Sequence, residues 1–115
     1  MKNNLELELK FHEAMIEIYE QAKSELKYNA TRFLQAVNEH GGLKAAKIFL
    51  NTKGFSYGFI ELWERGRLDL TMEAMIVKNS KWHGLFTKQE LLIAKKRLVD
   101  LGYKLRKIKI KAITD

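Results

Sequence analysis

Thr87-Lys88-Gln89-Glu90-Leu91-Leu92-Ile93-Ala94-Lys95-Lys96-Arg97-Leu98-Val99-Asp100-Leu101-Gly102 carries a complete set of helix signals. Thr87 and Glu90 form a capping box, in which hydroxyl and carboxylate each satisfy an amide that the first turn leaves free. Leu91, Ala94, Leu98 and Leu101 recur at three- and four-residue spacing and define an inward stripe. Gly102 supplies the left-handed backbone on which helices commonly stop.

Upstream, the same signals recur. Phe11, Ala14, Met15, Ile18, Ala22 and Leu26 predict a long amphipathic helix with Glu13, Glu17, Glu20 and Lys23 on its outer face. A second helix is predicted from Asn29, whose side chain suits a cap, with Ala30, Phe33, Leu34 and Val37 inward and Gly41-Gly42 as its stop. Leu43, Ala46, Ile48, Phe49 and Leu50 predict a short third helix, packed closely through Ala45-Ala46, and Asn51-Thr52-Lys53-Gly54 reads as a loop. Ser56 caps a fourth helix that runs through Trp63 to a stop at Gly66, and Thr71 caps a fifth carrying Met72, Met75 and Ile76. Residues 79–86 read as a loop holding Trp82 and Phe86.

Two stretches alternate with period two. Leu5-Glu6-Leu7-Glu8-Leu9-Lys10-Phe11 reads either as a strand or as the first helix entering early, and Lys107-Ile108-Lys109-Ile110-Lys111-Ala112 reads as a two-faced strand. Glu6 and Glu8 would oppose the lysines, so the termini are candidates for a small antiparallel ribbon, which must pack on the helices or on another subunit to be stable. The expected fold is mainly α: one domain over residues 1–115, of five or six helices, with that ribbon as an addition and 104–115 as a basic extension or strand.

The chain has 115 residues, 46% of them apolar and 30% charged, a globular composition that buries roughly two-thirds of its unfolded surface in one core. It has no proline and no internal repeat, so no interdomain linker is read. Cysteine is absent, which removes disulfides, thiolate metal sites and cysteine nucleophiles. No 18-residue apolar run and no signal-like start appear, so the expected compartment is cytoplasmic. Charge is segregated: residues 1–80 hold 11 basic and 11 acidic side chains, whereas 81–115 hold 10 basic and 3 acidic, the whole of the +7. Lys104, Arg106, Lys107, Lys109 and Lys111 fall within eight residues, and such a patch attracts nucleic acid, an anionic membrane surface or an acidic protein.

Catalytic spellings are missing. His12-Glu13 begins a zinc-protease motif, but position 16 is isoleucine, and no histidine pair stands four apart. Residues 54–58 lack the glycines and the lysine of a phosphate loop, and no serine stands on a nucleophile elbow. Glu61 and Glu64 share a helix face, with Arg65 and Arg67 as counter-charges. His40 suits a helix C-terminus, and His83 reads as a surface histidine of its loop. The expectation is a non-enzymatic protein without cofactor or metal.

Residues 56–73, Ser-Tyr-Gly-Phe-Ile-Glu-Leu-Trp-Glu-Arg-Gly-Arg-Leu-Asp-Leu-Thr-Met-Glu, resemble the end of the helix-turn-helix of lambda-repressor-like regulators, with Ser56 opening the recognition helix and Ile60 anchoring it. The connection from the preceding helix is longer than that motif's turn, and Tyr57, Gly58, Phe59, Glu61 and Leu62 are unlike the groups that read bases. A wider likeness covers residues 11–103: Tyr28-Asn29-Ala30-Thr31-Arg32-Phe33-Leu34, Gly41-Gly42-Leu43 with Ala45-Ala46, Leu62-Trp63-Glu64-Arg65-Gly66-Arg67-Leu68-Asp69-Leu70-Thr71, and Leu85-Phe86-Thr87. These resemble a widespread family of small uncharacterised bacterial proteins. The resemblance implies a bacterial or mobile-element origin and brings no activity with it.

Three groups of residues are the candidate sites. Lys95, Lys96, Arg97, Lys104, Arg106, Lys107, Lys109 and Lys111 are read as phosphate contacts of a nucleic-acid-binding module. Asn29, Thr31 and Arg32 at a helix start form a natural anion site. Arg65, Arg67 and Asp69 stand at a helix exit, where an arginine pairing with Asp69 or Glu73 would fix the turn. The alternative is a protein-interaction or adaptor role in a bacterial accessory system, through Tyr57, Trp82 and Phe86 or through self-association of the terminal strands.

Overall fold

Helical signals fill most of the chain, and the computed structural model, which describes residues 2–103, turns them into six α-helices and two 3-10 helices. In order they are α1 (Lys2–Leu26), α2 (Thr31–His40), α3 (Gly42–Leu50), α4 (Tyr57–Glu64), the 3-10 helix Leu68–Leu70, α5 (Met72–Lys78), the 3-10 helix Ser80–Leu85, and α6 (Lys88–Asp100). No strand occurs among the described residues, and none of their helices is long and apolar enough to cross a membrane.

The caps settle the boundaries as read. Ser56 accepts the Phe59 amide, Thr71 the Ala74 amide, and Thr87 and Glu90 close the reciprocal box that opens α6. Glycines with positive φ stand beyond three helix ends, at Gly41, Gly66 and Gly102. At two of these the amide after the glycine reaches back five residues, Arg67 to the Leu62 carbonyl and Tyr103 to that of Leu98. α1 stops the same way on a lysine: Lys27 has φ of 57°.

α1, α2 and α3 pack together, α5 and α6 form a second pair, and α3 joins the two through α6. α1 lies along both, touching the two 3-10 helices, while α4 rests on Leu68–Leu70. The core fills the space between: Phe11, Met15, Val37, Leu50, Ile76, Val77, Leu91 and Leu98 are fully buried. Ala45 and Ala46 are also buried, as close packing of α3 requires. The Cα radius of gyration, 13.4 Å, is that of a single compact unit of this size.

Several expectations are corrected. Leu5 to Phe11 is the first part of α1, not a ribbon strand. Leu7 packs against the core, Phe11 is fully buried in it, and Leu5 and Leu9 project outward together one helical turn apart. The other proposed strand, residues 107–112, lies outside the described residues. Asn29 does not cap α2: Ala30 holds the cap position without a side-chain bond, and Asn29 Oδ1 instead accepts the Tyr19 hydroxyl. Residues 79–86 are an ordered 3-10 turn, because Trp82 and Phe86 pack edge-on to Phe11, with ring centroids at 5.2 and 5.5 Å. Both aromatics are therefore buried and cannot form the surface read for them. His83 is buried too, its Nε2 donating to the carbonyls of Ile76 and Val77. In the helix-turn-helix-like stretch, residues 51–56 separate α3 from α4, and α4 turns Phe59 and Leu62 inward.

Candidate functional site

The predicted site residues part company in the structure. Arg97 leaves the cationic face altogether. It is buried, and its guanidinium donates to Glu73 Oε2 at 3.1 Å and to the carbonyls of Phe49, Leu50 and Thr52 at 3.1, 3.2 and 2.7 Å. Both terminal nitrogens of the guanidinium are thus engaged within the protein. Burial pushes the Glu73 carboxyl up, against the pull of its backbone hydrogen bond and of Arg97. Lys95 is half-buried, and Lys96 is exposed and 2.9 Å from Asp100 on the next turn. Lys104, Arg106, Lys107, Lys109 and Lys111 lie outside the described residues.

Arg65, Arg67 and Asp69 build the turn after α4. Arg67 pairs with Asp69 and, across to α1, with Glu25, both at 2.9 Å. These hydrogen bonds hold Asp69 below the usual carboxylate range and raise Arg67; Glu25 is lowered by Gln21 first and Arg67 second. Arg65 pairs with Glu61, reaches the Leu26 carbonyl, and lies over the Tyr28 ring. The cluster ties the exit of α4 to the end of α1. Every cation in it has an acid partner.

The third predicted cluster borders the principal cavity. A cleft of about 800 Å³ opens between the second half of α1, the start of α2, the 51–56 loop, α4 and the start of α5. This is within the size range of ligand pockets, roughly 300–1,000 Å³. Asn29, Thr31 and Arg32 stand along it, with Lys53 and Ser56 from the loop and the α4 cap. Two parallel aromatic pairs line it, Phe33 with Phe49 and Phe55 with Phe59, their centroids 5.8 and 5.3 Å apart. Tyr57 at its edge is 67% exposed and Phe55 40%. Glu73 contributes a carboxylate to the lining, and it is the one Arg97 holds.

Arg97 therefore acts on this cleft from behind. By gathering the last carbonyls of α3 and that of Thr52, it fixes the loop that carries Lys53 and Phe55. Sequence reading named Asn29, Thr31 and Arg32, which border the cleft, but not the aromatic walls, which come from four separate elements. Comparison with protein-family models, with curated proteins and with solved structures returns no match to this chain.

Proposed function

We propose that the protein is a non-enzymatic binding module that associates with nucleic acid through its cationic end. The observation that carries this reading is the charge distribution: residues 1–80 balance, and 81–115 hold the whole +7. Within the first part Arg65 and Arg67 are tied to Glu61, Glu25 and Asp69, and Lys47 to Glu90 of the second, while Lys10, Lys23, Lys27, Lys44 and Lys78 are exposed in a part whose formal charges sum to zero. In the second part Lys81, Lys88 and Lys96 are exposed, and Lys104, Arg106, Lys107, Lys109 and Lys111 follow in sequence. Contacts of this kind neutralise phosphates and release counter-ions, giving affinity with little base discrimination. An anisotropy titration with duplex and single-stranded DNA at about 50 and 200 mM salt tests it. Micromolar binding that weakens steeply with salt supports the reading, and no binding at the lower salt ends it.

A protein-interaction role is the second reading, and the observation favouring it is on α1. Leu5 and Leu9, 63% and 60% exposed, form a small apolar stripe on the outer side of the helix. Light scattering of wild type and of Leu5→Glu/Leu9→Glu separates the cases: an oligomer lost in the variant supports association through α1, and a monomer in both removes that role as self-association.

A further inference from the structure

We infer that the aromatic cleft seats a nucleobase joined to a phosphate, the base stacking on the cleft's rings and the phosphate resting on Arg32 and Lys53. This does not rest on the reading of the cationic end, because none of these residues belongs to it.

Four observations converge. The first is aromatic exposure. Phe55 lies parallel to Phe59, at 16° between planes, yet 40% of it faces out beside Tyr57, which is 67% exposed. Large flat faces left in water at a concave surface favour a planar partner, and every base has such a face. The second is charge. Arg32 and Lys53 are both exposed on the lining and form no ion pair among the described residues. The lining's one carboxylate, Glu73, is already held by Arg97. The mouth is thus cationic and its floor compensated, which admits an anion and disfavours a cation.

The third is the opening of α2, which lacks both a side-chain cap and an acidic residue in its first turn. Its positive end lies beside Arg32, where a phosphate would meet amide and guanidinium together. The fourth is the polar edge. Asn29 spends its oxygen on Tyr19, which leaves its amide protons to donate, and Ser56 Oγ accepts the Phe59 amide, which leaves its own proton to donate. Carboxamide and hydroxyl groups are the types that read base edges and ribose.

The same chemistry comes from a free nucleotide or from a single strand, and one set of titrations separates them. The full chain is titrated calorimetrically with AMP, UMP, adenosine and inorganic phosphate, and then with a short single-stranded and a duplex oligonucleotide. The expected result is saturable mononucleotide binding, weaker for adenosine and for phosphate alone. Arg32→Ala/Lys53→Ala and, separately, Tyr57→Ala should each weaken it about tenfold, without changing the melting temperature, since all three side chains are exposed. A single strand that binds more tightly than the mononucleotide, with the same losses in the variants, assigns the cleft to strands. Equal affinity assigns it to free nucleotides. No saturable mononucleotide binding, or binding unchanged in Arg32→Ala/Lys53→Ala, overturns the proposal. If the oligonucleotide then still binds to that variant as to wild type, the cationic end stands and the cleft alone has failed.

Discussion

Arg97 shows what one side chain contributes when both terminal nitrogens of its guanidinium are directed inward. It sits among the last carbonyls of α3, where a cation is favoured by the helix dipole, and closes the charge balance with Glu73. Arg97→Ala leaves a buried carboxylate without its partner and takes a donor from three carbonyls, so stability should fall by about 3–5 kcal/mol in urea unfolding. Lysine cannot reproduce the planar fork, and Arg97→Lys should recover only part of that loss. The residue was visible in the sequence as one of three successive cations. Its burial was also marked there, since at 100° per residue position 97 lies within about 60° of Ala94 on the inward stripe. Glu90 shares that stripe and is the second case. Burial pushes its carboxyl up, but hydrogen bonds from Lys47, the Thr87 amide and Asn51 together outweigh this and hold it low. A carboxyl lowered in the folded state stabilises it above the ordinary value of 4.5, and the contribution disappears as pH falls through the lowered value. Glu90→Gln keeps the capping box in form, yet it should be less stable near neutrality and lose less on acidification, as pH-dependent urea unfolding will show.

At the scale of elements, the sequence was most legible where a signal is local. Ser56, Thr71 and Thr87 each accept an amide three residues on, and each was readable from a short window. Asn29 failed as a cap because a distant group, the Tyr19 hydroxyl on α1, took its oxygen first. Gly42 joins both kinds of information. Its neighbour Gly41 ends α2 as read, but Gly42 itself opens α3 against α1, and a Cβ there would lie 2.6 Å from the Cα of His12. His12 Nδ1 accepts the Gly42 amide at 2.9 Å, capping α3 from another helix. No spacing rule links positions thirty apart. Gly42→Ala must push α1 away and should cost about 1–3 kcal/mol, whereas His12→Ala removes only the acceptor and should cost about 1 kcal/mol. The reverse gain is available at Lys27, whose positive φ glycine adopts freely. Lys27→Gly should stabilise by up to about 1 kcal/mol in thermal unfolding.

For the molecule as a whole, the question is which cations are already occupied. The helical architecture was legible because six periodic segments, three of them opened by their own side-chain caps, leave few ways to pack. The allocation of charge was not, because pairing depends on which helices meet. The α4 exit answers to α1 through Arg67 and Glu25, and the α6 cap answers to α3 through Glu90 and Lys47. This allocation makes opposite predictions for two sets of substitutions. Arg67→Ala unties α4 from α1, so it should lower the melting temperature and leave DNA affinity at low salt unchanged. Lys95→Ala/Lys96→Ala removes charge from the outer side of α6, where Lys96 shares only an exposed bond with Asp100. It should leave melting nearly unchanged and reduce the slope of log affinity against log salt by about 2, each phosphate contact contributing close to one. Calorimetry and anisotropy on the same preparations decide it. An affinity loss in Arg67→Ala at unchanged melting would move the phosphate contacts to the α4 exit, and an unchanged slope in Lys95→Ala/Lys96→Ala would remove α6 from the nucleic-acid surface.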